Sequence, residues 1–146
     1  VLILIYTGLR VGEYLRLTPQ DVKWRSHYFI VRKSKTAAGQ GRAVPIHKDI
    51  YPWFAQRKSQ AYICQHEDRT PYTYDAFRRR FDTIMADFGM KHTPHECRHT
   101  CASMLDSSGA NDTAVKKILG HACRGVTKHE YTHKTIHELR KAVDSI

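Results

Sequence analysis

The feature that most constrains the fold is a close succession of helix start and stop signals in the second half of the chain. The sequence T-P-H-E at 93–96 forms a capping box, with a proline at the first helical position and a glutamate that reaches back to the cap. It predicts a helix that runs to about Ser107. A second helix is predicted to begin at Asn111 or Asp112 and to end at Gly120. This region should therefore form two helices joined by a short turn.

The remaining elements are predicted from periodicity and turn residues. Apolar residues spaced three and four apart predict an amphipathic helix over 73–88, and a short helix is predicted over 9–17. Two strand-like runs, 27–32 and 42–46, flank the glycine-containing segment 34–41, which predicts a hairpin. The predicted fold class is therefore α+β, predominantly helical with a small antiparallel β-sheet.

The length and composition predict one domain over residues 1–146. A hydrophobic content of 41% suffices for a core. The chain begins on an apolar run, Val1 to Ile5, without a helix cap before it, which suggests a fragment of a longer protein. That run is far shorter than the ~20 residues that span a bilayer. Four cysteines without a disulfide pattern favour a reducing, cytoplasmic environment.

The net charge is the first indication of function. Lys and Arg number 24 and Asp and Glu number 14, which gives a net charge of +10. Such an excess attracts polyanions, and nucleic acid is the usual partner, although a basic surface with no partner is the alternative. The cations that we expect to contact DNA lie beside the predicted hairpin and on the polar face of helix 73–88: Arg42, Arg78, Arg79 and Arg80.

A candidate anion site lies at the start of the helix that the capping box predicts. His95 and Arg98 are three residues apart, so their side chains share one face of the first turns. The free N–H groups and the positive dipole end of a helix favour a phosphate there. A surface histidine and an arginine paired with an acid would be the ordinary interpretation of an isolated H-x-x-R sequence.

Two further candidates lie in the first third of the chain. Arg10 follows a glycine and precedes Glu13 by three residues, so it could face an anion while Glu13 supports it, or the two could form a simple ion pair. Lys35 lies on the predicted hairpin tip. A lysine there could deliver a proton to a substrate, although most hairpin lysines only keep the tip solvated.

His121 and Tyr131 complete the candidate residues. His121 follows a glycine that could turn the chain and direct the imidazole into a cleft, although a structural histidine is the commoner case. Tyr131 is one of eight tyrosines. Since an ordinary tyrosine has a pKa of about 10, only about one in a thousand is ionised at pH 7. A nucleophilic Tyr131 would therefore need neighbouring cations or a base.

A zinc site is the alternative use of the histidines and cysteines. Histidine and cysteine alternate within 95–101, and histidines recur every four residues at 129, 133 and 137. Cys97 and Cys101, however, lie inside one predicted helix, and no second pair follows at zinc-finger spacing. We therefore predict no metal site.

Five short segments occur in a characteristic order: T-G-L-R-V-G-E at 7–13, S-K-T-A-A-G-Q-G-R-A-V-P-I at 34–46, H-E-C-R-H-T at 95–100, L-G-H at 119–121 and Y-T-H at 131–133. Each is weak alone. Together they resemble the catalytic domain of the tyrosine recombinases, the phage integrase family, over essentially the whole chain. Within that family the chain is most similar to integrases of temperate phages and conjugative transposons.

The resemblance implies a catalytic role for each candidate. Arg10 and Arg98 would hold the non-bridging oxygens of the scissile phosphate, and Tyr131 would attack phosphorus to form a 3′-phosphotyrosyl bond. Lys35 would protonate the leaving 5′-oxygen. Lys33 is the alternative lysine, because the hairpin varies in length within the family.

Three other residues complete the implied site. His95 would act as a base or hydrogen-bond donor, His121 would bind the phosphate in the transition state, and Glu13 would support the arginine beside it. The implied function is site-specific recombination or integration of double-stranded DNA, without a metal ion or other cofactor. The alternatives are DNA relaxation of the type IB topoisomerase kind and a DNA-binding module without catalysis.

The resemblance also implies missing domains and an assembly. Family members carry an N-terminal core-binding domain, and often an arm-binding domain before it. Active members form tetramers on DNA, so we expect a tetramer there and a monomer for an isolated fragment. An apolar stripe predicts a C-terminal helix that packs either on its own domain or, as we expect in the assembly, on a neighbouring subunit; the stripe contains Ile136, Leu139, Val143 and Ile146. The implied location is the cytoplasm of a bacterium, in a bacterial or phage-encoded protein.

Overall fold

The structure is a computed structural model that describes residues 1–121 and 134–146. Within those residues the chain forms seven α-helices and three short β-strands. In chain order the elements are α1 Leu2–Thr7, α2 Val11–Tyr14, β1 Val22–Lys23, β2 Tyr28–Val31, β3 Arg42–Pro45, α3 Tyr51–Ala55, α4 Tyr74–Asp87, α5 Pro94–Ser107, α6 Asp112–Leu119 and α7 Lys134–Val143. The predicted fold class, a mainly helical α+β fold with a small antiparallel sheet, is confirmed.

The sheet is a three-stranded antiparallel meander in the order β1-β2-β3. Phe29 on β2 pairs with Val22 on one side and Val44 on the other, and these three side chains are buried on the same face. The predicted hairpin is confirmed, with a single turn of 3₁₀ helix at Ala37–Gly39 near its tip. Strand β1 was not predicted, because two residues are too few for an alternating pattern.

The core lies between the sheet and the C-terminal helices. Helices α6 and α7 pack on β3 and on each other, while α5 packs on α1 and α6. The side chains that are fully or almost fully buried come from most of these elements: Leu4, Leu9, Phe29, Val44, Ile50, Phe54, Ile63, Leu105, Ile118 and Val143. The chain thus encloses one continuous core, and the start of α5 and the end of α6 meet at its edge.

The helices that were predicted from capping signals have the expected bounds. Helix α5 begins after Thr93, whose side chain and that of Glu96 form the reciprocal capping box. Asn111 caps α6 by accepting hydrogen bonds from two backbone N–H groups. Gly120 ends that helix in the left-handed conformation. Local hydrogen bonds therefore determine both ends of this helical pair.

Three helices differ from the prediction, and the first of them is α1, which covers the apolar run at the start of the chain that was not assigned to a helix. The helix expected over 9–17 is only the single turn α2, because Arg10 has an extended backbone and caps the helix instead of entering it. Helix α3 was not predicted at all. It is five residues long and carries a proline at its second position, so it presents little periodicity.

The C-terminal stripe packs on the protein's own core. Leu139 and Val143 are buried, and α7 contacts β3 and α6. Of the two packings predicted for this stripe, the single chain shows the one on its own domain, and docking on a neighbouring subunit in an assembly stays a prediction. Within the described part of the chain, no helix combines the length and hydropathy needed to cross a membrane.

Candidate active site

Arg98 is a buried cation at the junction of three helices. It lies in the second turn of α5 and is 5% exposed. Its guanidinium donates hydrogen bonds to the carbonyl of Gly8, at 2.6 Å, and to the carbonyl of Leu119. These carbonyls lie at the C-terminal ends of α1 and α6, where the helix dipole is negative. Burial and the charges of two nearby arginines nevertheless lower the pKa of Arg98 to about 10.

Arg10 and Glu13 form a capping box around the single turn of α2. The carboxylate of Glu13 accepts a hydrogen bond from the backbone N–H of Arg10 at 2.9 Å and another from its Nη1 at 3.2 Å. Glu13 is buried, whereas the side chain of Arg10 remains 23% exposed. The guanidinium of Arg10 is therefore oriented by Glu13 and still open to a ligand.

Arg42 is the main partner of that carboxylate. Its Nη1 and Nη2 donate to the two oxygens of Glu13 at 3.0 and 2.7 Å, Nη1 also donates to the carbonyl of Gly39, and Nε donates to the carbonyl of Ile118. Burial opposes ionisation of Glu13, but the hydrogen bonds and charge of Arg42, helped by Ser34 and Arg10, lower its pKa to about 2.

This placement corrects the DNA-contact role expected for Arg42. Its side chain is 5% exposed and bound to protein acceptors, so it has no surface to offer a DNA backbone. Arg42 instead links β3, the hairpin and the end of α6 to the carboxylate that orients Arg10.

An open cavity of about 180 Å³ lies where the starts of α2 and α5 meet the end of α6. Its lining residues are Arg10, His95, Arg98, His99, Ala102, Leu119 and His121. Four of the six predicted catalytic residues, two arginines and two histidines, therefore share one cavity although they are separated by up to 111 positions in the chain.

Both histidines lie at the mouth of the cavity, beside its cations. Burial, His99, Arg98 and Arg10 together lower the pKa of His95 below the usual 6.5. Burial and the neighbouring arginines, Arg98 first, also lower the pKa of His121. Their surroundings therefore favour the neutral imidazole at both positions, and a neutral imidazole can accept a proton or donate one N–H to an oxygen.

Two glycines allow the elements around the cavity to approach closely. A Cβ on Gly8 would lie 2.6 Å from the Leu119 side chain, and one on Gly120 would lie 2.8 Å from the Cα of Gly39. Both glycines also have left-handed backbones, with φ of +59° and +69°. Both the close neighbour and the left-handed backbone therefore disfavour any other residue at these two positions. The carbonyl of Gly8 accepts a hydrogen bond from Arg98, and Gly120 directly precedes His121.

His99 is a cavity residue whose role was not predicted. Its ring lies edge-on to that of His95, with 4.9 Å between centroids. The spacing of four residues within one helix was the available signal, since it places two side chains on the same face.

The two candidate lysines are not joined to the cavity. Lys35 is exposed on the hairpin and does not line it, and Lys33 lines a separate cavity of about 280 Å³ beside Arg16 and Arg32. Tyr131 lies outside the described residues. The choice between the two lysines therefore stays a prediction, as does the role of the tyrosine.

The predicted arginines of α4 also lie away from the cavity. Arg78 pairs with Asp82, with 2.8 Å between Nε and Oδ1, whereas Arg79 and Arg80 are exposed. Residues 1–121 and 134–146 contain no group of three or more His, Cys, Asp or Glu side chains placed to hold a metal ion. The cavity is instead lined by fixed donors that suit a single tetrahedral anion.

Comparison with known proteins identifies relatives of this chain. Residues 1–138 match the model of the phage integrase family. The chain is 30% identical over 158 residues to tyrosine recombinase XerA of Pyrococcus horikoshii, in an alignment that covers 99% of this chain and 53% of that protein. The chain thus spans about half the length of this relative.

Solved structures share the fold. The integrase from mycobacterium phage Brujita superposes with a TM-score of 0.79 at 18% identity, covering 98% of this chain and 49% of that one. The Tn1549 transposon integrase in complex with transposon right end DNA gives a TM-score of 0.69 at 24% identity, covering 96% and 55%. At these identities the likeness is one of fold.

Proposed function

This chain belongs to the phage integrase family of tyrosine recombinases, and we propose that it supplies the catalytic domain for site-specific cleavage and rejoining of DNA. The resemblance seen in the sequence is confirmed by that match. The substrate is double-stranded DNA, and the product of cleavage is a 3′-phosphotyrosyl bond to Tyr131. The site of action is the cytoplasm of a bacterium, where such DNA is found.

The observation that carries this proposal is the convergence of four donors on one open cavity. Arg10 and Arg98 approach it from α2 and α5, and His95 and His121 stand at its mouth. Arg98 is buried without a carboxylate partner among the described residues. A buried cation with a lowered pKa gains when an anion binds beside it. A DNA phosphate is the anion that the net charge of +10 would attract.

The reaction follows from the chemistry of a phosphodiester. The phenolic oxygen of Tyr131 attacks phosphorus, and its proton passes to His95 or to water. The bond from phosphorus to the 5′-oxygen breaks, the electron pair goes to that oxygen, and Lys35 supplies its proton. Arg10, Arg98 and His121 stabilise the negative charge that collects on the non-bridging oxygens. Each preorganised donor of this kind contributes roughly 10²–10³ in rate.

The proposed mechanism requires no nucleotide or metal ion. The phosphotyrosine bond stores the energy of the broken phosphodiester, so rejoining is the reverse attack by a 5′-hydroxyl. Fixed guanidinium groups supply the positive charge that a divalent ion would otherwise provide.

DNA contacts beyond the cavity are assigned to the exposed cations. Arg79 and Arg80 on α4 are free of ion pairs within the described residues, and Arg78 could exchange Asp82 for a phosphate. Exchange of strands between two duplexes further requires several protomers on the DNA, and we propose a tetramer.

The test uses a DNA pool, because the target sequence is not known. Protein expressed from its complete reading frame is incubated with nicked duplexes that are randomised around the nick. Cleavage near the nick releases a short fragment and traps the covalent adduct, which is isolated in denaturant and sequenced. We expect adducts with the wild type and none with Tyr131→Phe, while Tyr74→Phe, which changes an exposed tyrosine on α4, behaves as the wild type.

The outcomes separate the alternative functions. Adduct formation with strand exchange between two recovered duplexes supports recombination. Adducts accompanied only by relaxation of a supercoiled plasmid that carries the recovered sequence indicate a topoisomerase. Bound DNA without any adduct indicates a binding module and contradicts the proposal.

A further inference from the structure

Ser34 joins the hairpin to the carboxylate that organises the cavity. Its Oγ donates a hydrogen bond of 2.6 Å to Oε1 of Glu13, and Nη1 of Arg10 lies 3.5 Å from the same hydroxyl. Ser34 is half-buried, whereas the residues on both sides of it are exposed. The hydroxyl therefore fixes the chain to Glu13 at a point where both neighbouring residues are exposed to solvent.

The returning limb of the hairpin is attached to the same carboxylate. The carbonyl of Gly39 accepts a 2.7 Å hydrogen bond from Arg42, which is itself paired with Glu13. Gly39 also packs against Ser34 so closely that a Cβ on the glycine would lie 2.3 Å from Oγ of the serine. The two limbs of the tip are thus held to each other and to one anionic group.

Lys35 is the first residue beyond the serine attachment. It stands between Ser34 and the 3₁₀ turn that begins at Ala37, and its own side chain is exposed. A lysine side chain has four rotatable bonds, so its reach into the cavity depends on where its backbone is held. Glu13 is therefore bound directly by Arg10 and, through Ser34, is joined to the residue that precedes Lys35.

We propose that Ser34 is a positioning residue for Lys35, and that its hydrogen bond to Glu13 places the lysine over the oxygen that leaves the phosphate. This inference rests on the proposed function. Ser34 itself touches no reacting atom. It acts on one step, the transfer of a proton from Lys35 to the 5′-oxygen as the bond to phosphorus breaks.

The step can be isolated by a change in the DNA. When sulfur replaces the bridging 5′-oxygen, the leaving group is a thiolate, and because a thiol is a far stronger acid than an alcohol, it departs without a proton. A variant that is defective only in proton delivery should then cleave the sulfur substrate as fast as the wild type. A variant that has lost phosphate binding should be slow on both substrates.

The experiment compares adduct formation in single turnovers on a recovered duplex and on its 5′-bridging sulfur analogue. Lys35→Ala should lose about 10²–10⁴-fold on the oxygen substrate, as expected for general acid catalysis. Ser34→Ala should lose roughly 10-fold, the cost of one hydrogen bond to a charged group. Both should regain wild-type rates with sulfur, whereas Arg98→Met should remain slow.

Two further variants test the attachment itself. Gly39→Ala should reproduce the Ser34→Ala pattern. Its methyl group would lie 2.3 Å from Oγ of Ser34 and would therefore displace the hydroxyl from Glu13. Thr36→Ala removes a hydroxyl two residues away that makes no side-chain hydrogen bond at its turn, and it should match the wild type on both substrates.

Three results would overturn the inference. Ser34→Ala could match the wild type on the oxygen substrate, it could be slow on both substrates, or Lys35→Ala could fail to recover with sulfur. Absence of adducts with the wild-type protein would instead contradict the proposed function, so the two failures are distinguishable.

Discussion

Arg42 and Arg98 are two buried guanidinium groups that end on neighbouring carbonyls of α6, those of Ile118 and Leu119. Their surroundings differ in charge. Arg42 makes a bidentate pair with Glu13. Arg98 donates only to carbonyls within the described part of the chain, and burial lowers its pKa to about 10.

The difference separates a structural cation from a functional one. Pairing with a carboxylate neutralises Arg42, so its removal would leave a buried carboxylate without its main counter-charge, and its donors are already used by protein acceptors. Among the described residues Arg98 has no carboxylate partner, and although the more distant charge of Glu13 favours its ionisation, burial of its charge is a cost in the free protein and becomes a gain when an anion enters the cavity. Replacement by methionine should therefore mainly reduce stability at position 42 and mainly reduce activity at position 98.

The largest effect expected is on stability at the paired site. Arg42→Met leaves Glu13 buried, with Ser34 and the partly exposed Arg10 as its remaining partners among the described residues, and removing one partner of a buried pair costs about 3–5 kcal/mol. Urea unfolding should detect this loss of unfolding free energy. Arg80→Met, which changes an exposed arginine on α4, should stay within about 0.5 kcal/mol of the wild type. If Arg42→Met changed the unfolding free energy as little as Arg80→Met does, Arg42 would not be the structural cation proposed here.

The second effect is on the cleavage rate, when Arg98 is replaced. Arg98→Met should reduce the cleavage rate by roughly 10²–10³. Its unfolding free energy should change by only about 1 kcal/mol, because relief of a buried charge offsets two unsatisfied carbonyls. The recovered nicked duplex and the same urea titration provide both measurements. Normal cleavage by a well-folded Arg98→Met protein would show that the cavity is not the active site.

The third effect comes from removing the counter-charge of Arg42 with acid. The pKa of Glu13 is about 2 in the folded protein against an ordinary 4.5. Its contribution, roughly 3 kcal/mol, is therefore fully present above about pH 4.5 and is lost as the pH falls through 2. Wild type and Glu13→Gln should differ in unfolding free energy at pH 6 and converge as the pH falls from 4.5. Glu67→Gln, at an exposed position, should follow the wild type throughout.

The smallest effect is stabilisation by a simple anion. Sulfate at ten times its dissociation constant would stabilise the folded protein by about 1.4 kcal/mol, or about 4 °C in Tm. Because sulfate also stabilises proteins generally, the measure is the difference between the wild type and Arg98→Met. That difference should be several degrees in differential scanning calorimetry, and identical shifts would argue against an anion site at Arg98.

Much of the helical framework was predictable because its signals are local. The capping box at Thr93 and the closing glycine at Gly120 act through hydrogen bonds within four residues. The candidate site was predictable in part, because a resemblance supplied the order of its motifs. Four of those residues do line one cavity.

Other features were not predictable because they depend on contacts between distant segments. The length of α2 is set by Glu13, which holds Arg10 in an extended conformation and pairs with Arg42, 29 positions away. The attachment of Ser34 likewise depends on a residue 21 positions earlier. No window of the sequence contains both partners of these interactions.

The chain's local pattern thus specified where α4, α5 and α6 begin and end and which residue types could bind a phosphate. Only the packed structure decided that Arg42 would pair with a carboxylate and that Arg98 would donate to carbonyls alone within residues 1–121 and 134–146. Both are arginines beside apolar residues in the sequence. Their roles diverge because the electrostatic free energy of a buried charge depends on the neighbours that folding brings to it, and these are set by long-range contacts.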